Sequence, residues 1–331
     1  MNKKLSSYRH SFGLNLNFLG NLLRLLFLRV SLLGKNRPIV IVNLLEHMGD
    51  IVACEPVVRH LKKRSPNAYI IWSVKQPYRE LLDSNPYVDA VLVLHCLSER
   101  IKLEKIGLFD EVIELHFEDR YCSLCSSPMK KNNHSGVNLK NFYDHGSLLN
   151  AISVSAGLPL LNIPPQIYIP LKVVKRVDQL YIPKSFIVIH TKSNNIEKDW
   201  PLDKWLAFVD FMTKRGIAVI EVGLVPTLST GANIISLAGK LSILETAEVI
   251  RRASLFVGID SGPAHLANAL SKNSVVLMAR YSGWDIYDPF GSHFNGFEIR
   301  EIIRQEKIYD ISIEDVVITT LRLYKRLVPS R

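Results

Sequence analysis

Short apolar runs alternate with helical patterns over most of the chain, from residue 38 onward. Runs of about four to eight apolar residues between turn residues are typical of buried strands, whereas apolar residues that recur every three or four positions are typical of helices. The first half predicts strands at 38–45, 68–74, 89–95 and 111–116 and helices at 51–63, 77–82 and 142–157. This alternation predicts a parallel α/β sheet.

A second series of the same kind follows a proline-rich stretch, which we take as a domain linker at 165–180. Its predicted strands are 186–190, 217–222, 234–237, 255–259 and 274–278, and its predicted helices are 202–214, 243–252 and 263–270. A final helical pattern covers 314–327. The sequence therefore predicts two Rossmann-like α/β domains in tandem.

The amino-terminal segment has a different pattern. Residues 12–33 are mostly apolar, but Arg24 and Arg29 interrupt them and argue against a membrane span. A narrow polar stripe at helical spacing is formed by Asn17, Asn21 and Arg24. With its cationic flanks, the segment is typical of an amphipathic helix that lies on a membrane surface, and we expect it to be dispensable for folding. A helix packed on the protein or on a partner subunit is the alternative.

Length and charge narrow the classes of protein. With 331 residues the chain is long enough for two domains. Lys and Arg total 41 against 31 Asp and Glu, a net charge of +10, which favours an anionic partner such as a nucleotide, a phosphorylated glycan or an acidic membrane. Because Walker A, zinc-finger and RNA-recognition patterns are missing, we expect no nucleic-acid partner.

Two strand-to-helix turns are candidate binding sites. The turn Asp260-Ser261-Gly262 precedes a predicted helix whose amino-terminal N–H groups would attract a phosphate, and His265 lies in the first turn of that helix. The turn Met48-Gly49-Asp50 follows the first predicted strand in the same way. At each turn the alternative is an ordinary connection in which the aspartate caps the helix.

Four motifs together resemble glycosyltransferase family 9, the lipopolysaccharide heptosyltransferase group. They are residues 48–62, Asn85-Pro86-Tyr87-Val88-Asp89, Lys198-Asp199-Trp200-Pro201 and residues 257–270, in the family's order and spacing. The resemblance runs from about Ile39 to the carboxyl terminus. It implies the GT-B fold, in which an acceptor domain (38–170) and a nucleotide-sugar domain (171–310) face a cleft. It also implies that a carboxyl-terminal helix within 311–331 packs back on the first domain, whereas residues 1–37 lie outside the family's fold.

The same resemblance implies an inverting glycosyltransferase. Together with the amino-terminal segment, it predicts a cytoplasmic protein that is peripheral on the inner membrane. The expected donor is ADP-heptose and the expected acceptor is the lipopolysaccharide core or another glycan. Asp50 matches the family's general base, which takes a proton from the acceptor hydroxyl. Another donor, such as UDP-N-acetylhexosamine, and a non-catalytic nucleotide-sugar-binding protein of the same fold are the alternatives.

Further positions match the family's donor site. Asp260 corresponds to a residue that binds sugar hydroxyls, and Leu241 to one that packs on the nucleobase. The positions expected to hold the donor phosphates are Thr191, Lys192, Ser193, Lys198, Ser261, Gly262 and His265. We expect neither a cofactor nor a metal, because cations and helix ends hold the phosphates in GT-B enzymes and the chain has no Asp-x-Asp sequence.

The chain departs from the family pattern at two places. Where many relatives carry an acidic residue for the ribose, this chain has Leu224-Val225-Pro226, and Glu221 is a poor substitute. After the strand at 274–278, Arg280 and Trp284 replace a Phe-Gly turn. We therefore expect a reshaped donor pocket, and the identity of the sugar stays open.

The chain has four cysteines, at positions 54, 96, 122 and 125. Cys122 and Cys125 form a C-x-x-C pair that could bind zinc together with His116 and His134. A second C-x-x-C is missing, so free thiols are the simpler interpretation, and a metal at this pair stays open.

Overall fold

The computed structural model of the chain describes residues 2–122, 124–128, 135–280, 287–291 and 300–327, and side chains from residue 16 onward. The contacts divide the chain into two units, Met1–Asn162 and Ile163–Arg331. This division falls shortly before the predicted boundary at 170/171. Part of the predicted linker is helical, because α7 spans Leu171–Asp178 and buries Val173 and Val177.

The first unit is built on a parallel sheet. Its strands are β1 (Ile39–Asn43), β2 (Tyr69–Val74), β3 (Ala90–Val93) and β4 (Glu111–Glu114), in the spatial order β3-β2-β1-β4. Its helices are α1 (Asn2–Ser31), α2 (Met48–Ala53), α3 (Glu55–Arg64), α4 (Glu80–Asp83), α5 (Leu97–Glu104) and α6 (Leu148–Ser155). All five residues of β1 are buried, as expected for the central strand of a covered sheet. The four predicted strands are therefore confirmed.

All three predicted helices of this unit are divided. The patterns at 77–82 and 142–157 each contain a 3-10 turn, Gln76–Tyr78 and Phe142–His145, before α4 and α6. The pattern at 51–63 runs through α2 and α3, but the helix is interrupted at Cys54, whose φ is −92° and ψ is 4°. Pro56 lies in the first turn of α3. A proline has no N–H for an intrahelical bond and fits only a first turn, so the chain ends α2 and starts a new helix here.

The second unit has a larger parallel sheet. Its strands are β5 (Phe186–His190), β6 (Ala218–Glu221), β7 (Ile234–Ser236), β8 (Leu255–Ile259), β9 (Ser274–Ala279) and β10 (Arg300–Gln305), in the order β10-β9-β8-β5-β6-β7. Its helices after α7 are α8 (Leu202–Thr213), α9 (Ile243–Arg252), α10 (Gly262–Ala269) and α11 (Ile313–Leu327). The predicted strands and helices of this unit are confirmed, and the sequence missed β10. The residues of β10 are only half-buried or exposed, and the strand therefore has no apolar run that marks it in the sequence.

The carboxyl-terminal helix packs on the second sheet. Val316, Val317 and Leu323 of α11 are buried in the core of the second unit, together with Trp200 and Trp205. Its apolar stripe is buried against α8 and the strands beside it. The expectation that this helix also returns to the first domain stays a prediction.

The amino-terminal segment is a long helix that belongs to the first unit. Leu25 is 3% exposed in the core formed by the sheet and α5, and Phe18, Leu22, Leu28 and Leu32 pack around it. The side-chain amides of Asn17 and Asn21 both donate to the carbonyl of Val93 and to the carboxylate of Glu99, at 2.6 to 3.1 Å. Two residues of the predicted polar stripe thus face the protein, whereas Arg24 is exposed.

This packing corrects the expectation that residues 1–33 can be removed without harm. Their loss would expose the apolar surface that now covers Leu25 and would leave Glu99 without two hydrogen bonds. Deletion of the helix is therefore expected to destabilise the first unit. Among the described residues, no helix has the length and apolar character that crossing a bilayer requires.

Candidate active site

Each sheet has a point at which the chain changes direction. In the first sheet the chain proceeds from β1 through β2 to β3 on one side and then places β4 on the other side of β1. In the second sheet it proceeds from β5 through β6 to β7 and then places β8 on the other side of β5. Loops diverge at the carboxyl ends of the strands at such switch points, which is where α/β sheets bind ligands.

Asp50 lies at the switch point of the first sheet. The loop after β1 leads into α2, whose N-cap is His47, so Asp50 belongs to the first helical turn and is not the capping residue. Its Oδ2 accepts a hydrogen bond from Nη1 of Arg120 at 3.0 Å. Arg120 follows β4, so the ion pair joins the loops of the two strands that flank the switch. Both side chains are about one-fifth exposed, at 18% and 20%, so ligands can reach them.

Several titratable side chains surround Asp50. Burial lowers the pKa of His47, although the nearby Asp50 carboxylate acts in the opposite direction. Burial also raises the pKa of Tyr78, with Glu46 adding to the effect, and Glu46 forms an ion pair with Lys75. Neutral His47 and Tyr78 and a paired carboxylate are typical of a site built for proton transfer and hydroxyl binding.

The buried side chain of His116 holds the loop that follows β1. Its Nε2 accepts the N–H of Leu45 at 3.1 Å, so the proton is on Nδ1, which donates to Glu114 at 2.6 Å. Arg100 pairs with the same glutamate at 2.5 Å. Both ring nitrogens of His116 are therefore occupied, which excludes His116 as the zinc ligand considered above. His134, the other histidine considered, lies outside the described residues.

Lys198 and Asp260 meet at the switch point of the second sheet. Lys198 ends a short 3-10 turn after β5, and Asp260 follows β8 directly. The lysine Nζ is 2.6 Å from the aspartate Oδ2. The lysine side chain is 27% exposed and the aspartate 8%, so the lysine is held by the protein but still faces solvent. A fixed, accessible ammonium group beside a helix start is suited to an anionic ligand.

Two more predicted phosphate ligands are organised by Asp199. The backbone N–H and the hydroxyl of Ser193 both donate to its Oδ1, at 2.7 and 2.8 Å. Lys192 lies 2.6 Å from its Oδ2 and is 44% exposed. Asp199 had no predicted role of its own, although it lies inside the Lys-Asp-Trp-Pro motif.

Thr191 belongs to a buried network around Glu221. The Thr191 hydroxyl donates to Glu221 at 3.3 Å and is 2.8 Å from the hydroxyl of Thr227. Glu221 is fully buried and also accepts hydrogen bonds from Ser236 and from the backbone of Thr227 and Leu228. The structure thus gives the Thr191 hydroxyl a structural partner. It also gives Glu221 a structural role, in keeping with the expectation that it does not replace the missing ribose ligand.

His190 at the carboxyl end of β5 was missed by the sequence analysis. Its Nδ1 donates to the carbonyl of Val222 at 3.0 Å, and burial lowers its pKa. A Cβ added at Gly223, whose φ is +136°, would lie 2.9 Å from the imidazole. Glycine is therefore needed here, and its place after an apolar strand was the available signal.

The remaining predicted donor residues lie around α10 and before α9. Ser261 is the N-cap of α10, but its hydroxyl donates to the carbonyl of Ile259 at 3.0 Å and does not cap the helix. Gly262 starts the helix. The ring of His265 packs 4.7 Å from that of Phe290. Leu241 is half-buried just before the capped start of α9. Arg280 is exposed, and Trp284 lies outside the described residues.

Three of the four cysteines form a cluster in the loops that follow β3 and β4. Each side chain offers one sulfur, and the sulfurs of Cys96, Cys122 and Cys125 lie within 4.8 Å of one another. Burial raises the pKa of Cys96 to about 12. Burial also opposes ionisation of Cys125, but hydrogen bonds from Ser127 and Ser98 outweigh it and lower the pKa of Cys125 to about 6. Cys96 was not among the zinc ligands considered from the sequence.

Comparison with known proteins agrees with the fold and with the motifs. The family model described as glycosyltransferase family 9 (heptosyltransferase) matches residues 147–282. The chain is 23% identical to lipopolysaccharide heptosyltransferase 3 of Escherichia coli strain K12, over 86% of this chain and 98% of that protein.

Two solved structures have the same architecture. One is a family 9 glycosyltransferase of Veillonella parvula, with a TM-score of 0.69 and 17% identity over 87% of this chain and 98% of that one. The other is the ADP-heptose lipopolysaccharide heptosyltransferase II of Escherichia coli, with a TM-score of 0.63 and 17% identity over 87% of this chain and 99% of that one.

Two parallel α/β units, each with polar residues at its switch point, have the fold of these GT-B glycosyltransferase structures. The chain is similar to glycosyltransferase family 9, whose model matches residues 147–282.

Proposed function

We propose that the protein transfers heptose from ADP-heptose to the lipopolysaccharide core or a related glycan, with inversion at the anomeric carbon. The observation that carries this proposal is the ion pair at each switch point, Asp50 with Arg120 and Lys198 with Asp260. The names of the relatives support the donor and the pathway, since both an ADP-heptose-dependent enzyme and a lipopolysaccharide heptosyltransferase are among them.

The second unit is proposed to hold the donor. Lys198 would bind the diphosphate and compensate its charge as the bond to the sugar breaks. Lys192, Ser193 and the first N–H groups of α10 would complete the phosphate site, and Asp260 would accept hydrogen bonds from sugar hydroxyls. Leu241 would pack on the adenine, and His265 would border the phosphates.

Thr191 is proposed to act indirectly. Its hydroxyl is engaged with Glu221 and Thr227, so its contribution to phosphate binding would be to fix the start of the loop that carries Lys192 and Ser193. This differs from direct contact with the donor, which is the role that the family resemblance implies.

The first unit is proposed to hold the acceptor. The Asp50 carboxylate would take the proton of the acceptor hydroxyl while the oxygen attacks the anomeric carbon and the nucleotide diphosphate leaves. Arg120 would hold the carboxylate in one orientation. A metal is not needed in this scheme, because the charge of the leaving diphosphate is met by lysines and backbone N–H groups.

Donor identity is tested by thermal melting with a panel of nucleotide sugars, followed by transfer assays with the stabilising compound. A donor at about 100 times its Kd should stabilise the protein by about 2.7 kcal/mol. We expect ADP-heptose to raise the Tm and to be consumed when lipopolysaccharide acceptor is added. If only UDP-N-acetylhexosamine raises the Tm, the donor is that compound and not ADP-heptose. Stabilisation by ADP-heptose without transfer to any core acceptor would favour a binding protein.

We also propose that the protein is cytoplasmic and contacts the inner membrane through α1. One face of this helix packs on the domain, but the opposite face carries exposed apolar side chains at helical spacing. They are Leu16, Leu19, Leu23, Leu26, Phe27, Val30 and Leu33, with exposures between 40% and 76%. The exposed Arg24 lies at the rim of this face, where it can reach anionic lipid headgroups. The net charge of +10 favours the same surface.

Replacement of Leu23, Phe27 and Val30 by serine should lower binding to phosphatidylglycerol-containing vesicles by more than about tenfold, because each lost apolar contact weakens insertion. The three side chains are exposed, so the fold should be retained. Co-sedimentation with vesicles measures the effect. As a control, serine at Leu206 and Ile318, which are 49% and 56% exposed on the second unit, should leave vesicle binding unchanged. Unchanged vesicle binding of the triple variant would contradict membrane contact through this face. If the unaltered protein forms a concentration-dependent dimer that the variant loses, the face binds a second copy of the chain and not a membrane.

A further inference from the structure

The cysteine cluster joins two loops of the first unit. Cys96 follows β3 and is the N-cap of α5. Cys122 and Cys125 come from the turn that follows β4. Two of these side chains are buried, Cys96 at 0% and Cys122 at 1% exposure, and Cys125 is half-buried.

The spacing of the three sulfurs matches that of ligands around one metal ion. A tetrahedral zinc site with metal–sulfur bonds of about 2.3 Å places its sulfurs about 3.8 Å apart. In the structure, Sγ of Cys96 is 3.4 Å from Sγ of Cys122, and all three sulfurs lie within 4.8 Å of one another. Changes of about 1 Å or less in the sulfur–sulfur distances would therefore bring the three sulfurs to ligand spacing.

The backbone holds the C-x-x-C pair in a tight turn. The N–H of Cys122 donates to the carbonyl of Ser127, and the N–H of Ser126 donates to the carbonyl of Cys122, both at 2.9 Å. An antiparallel bridge between Tyr121 and Pro128 closes the turn. Such a turn presents its two thiols on one side, toward the thiol that Cys96 contributes from the other loop.

We propose that Cys96, Cys122 and Cys125 bind one thiophilic divalent metal ion, zinc or ferrous iron, through their three sulfurs. Soft thiolate ligands select these metals over magnesium and calcium. Each thiol gives its proton to solvent as its sulfur binds the metal. A water molecule takes the fourth tetrahedral position. The ion is structural and is separate from the residues proposed for glycosyl transfer.

The position of the cluster gives the metal a role. Arg120, which pairs with Asp50, immediately precedes the turn of Cys122 and Cys125. A metal that binds this turn to Cys96 would fix the loop from which Arg120 extends. The site is thus expected to support the orientation of Asp50 without contact with either substrate.

A disulfide between Cys96 and Cys122 is the competing explanation of their short distance. A disulfide uses two sulfurs, however, and gives no reason for a third thiol held beside them. Reduced free thiols are the other alternative. Both differ from a metal site in the mass of the protein and in the reactivity of its thiols.

The test is metal analysis of the full chain, purified without a polyhistidine tag from cells grown with zinc and iron. Mass spectrometry of the metals should find about one zinc or iron ion per chain. Cys96→Ser and Cys125→Ser should lower this content by more than about tenfold. Cys54→Ser, which removes a buried thiol outside the cluster, should retain the metal.

A second measurement uses the unaltered sequence, so that it does not depend on the folding of a variant. Protein produced with cobalt as the only added transition metal should show sulfur-to-cobalt charge-transfer bands and the strong visible bands of a tetrahedral site. A metal-free protein in both preparations, with Cys96, Cys122 and Cys125 all reactive toward a thiol reagent or with two of them in a disulfide, would overturn the proposal. Metal that is kept in both cysteine variants would overturn it as well.

Discussion

Asp50→Asn should lower the turnover number by about 10²-fold or more, because the amide cannot accept the proton of the acceptor hydroxyl. This loss corresponds to about 2.7 kcal/mol in the transition state. Donor affinity should stay nearly unchanged, since the base acts on the acceptor and not on the nucleotide. Steady-state kinetics with saturating acceptor, together with calorimetry of donor binding, separate the two effects.

Asp119→Asn is the matched control for this variant. Asp119 is exposed and adjacent to Arg120 in the same loop, so the substitution makes the same chemical change near the site without touching the base. It should keep normal turnover. Loss of the partly exposed Asp50–Arg120 pair itself should cost about 1 kcal/mol of stability or less, which thermal melting can verify. Full activity of Asp50→Asn would remove the proposed base.

Much of the fold was predictable because buried parallel strands leave a strong signal. β5 and β8 are fully buried apolar runs, and both were found from the sequence. The strand β10, in contrast, has only two apolar residues, Ile302 and Ile303, between charged and polar ones on a half-buried edge, so no apolar run marks it. The division of the helix at Cys54 depends on one proline, and periodicity extends across that position without a change.

The orientation of α1 could not be predicted from its pattern. Leucines surround most of this helix, so hydrophobicity alone does not tell which face is buried. Asn17 and Asn21 determine which face of α1 is turned toward the protein. Their side-chain amides donate hydrogen bonds to the carboxylate of Glu99 and to the carbonyl of Val93. Those partners lie at the end of β3 and in α5, more than seventy positions later in the chain. Only the folded structure shows that the apolar face remains exposed.

The candidate site was predictable as single residues but not as pairs. The motifs indicated Asp50, Lys198 and Asp260, because each follows a strand in a turn. Their partners depend on the strand order, which local patterns do not contain. Arg120 reaches Asp50 because β4 lies beside β1, and Asp260 reaches Lys198 because β8 lies beside β5. The same is true of Cys96, which joins the C-x-x-C pair through the fold.

Lys198→Ala should weaken donor binding by about 10- to 100-fold, since a hydrogen bond to a charged phosphate contributes about 1.5–3 kcal/mol. Turnover should fall as well, because the charge of the leaving diphosphate is no longer compensated. Calorimetry with ADP measures the ground-state part of this effect. Lys214→Ala is the matched control. This lysine is also part of an aspartate pair, with Asp210 at 2.7 Å, but it is 72% exposed at the C-cap of α8.

The pairing of Lys198 with Asp260 allows a sharper test by a double-mutant cycle. In the free protein Asp260 holds the ammonium group at 2.6 Å, so Asp260→Asn should weaken ADP binding even though ADP lacks the sugar that Asp260 is proposed to bind. The two substitutions should be non-additive, because the residues are in direct contact and Asp260 acts on ADP only through Lys198. In the Lys198→Ala background, Asp260→Asn should therefore change ADP affinity little and should still weaken the binding of the complete nucleotide sugar. Additive effects on ADP, or unchanged ADP affinity in Lys198→Ala, would remove this pair from the donor phosphate site.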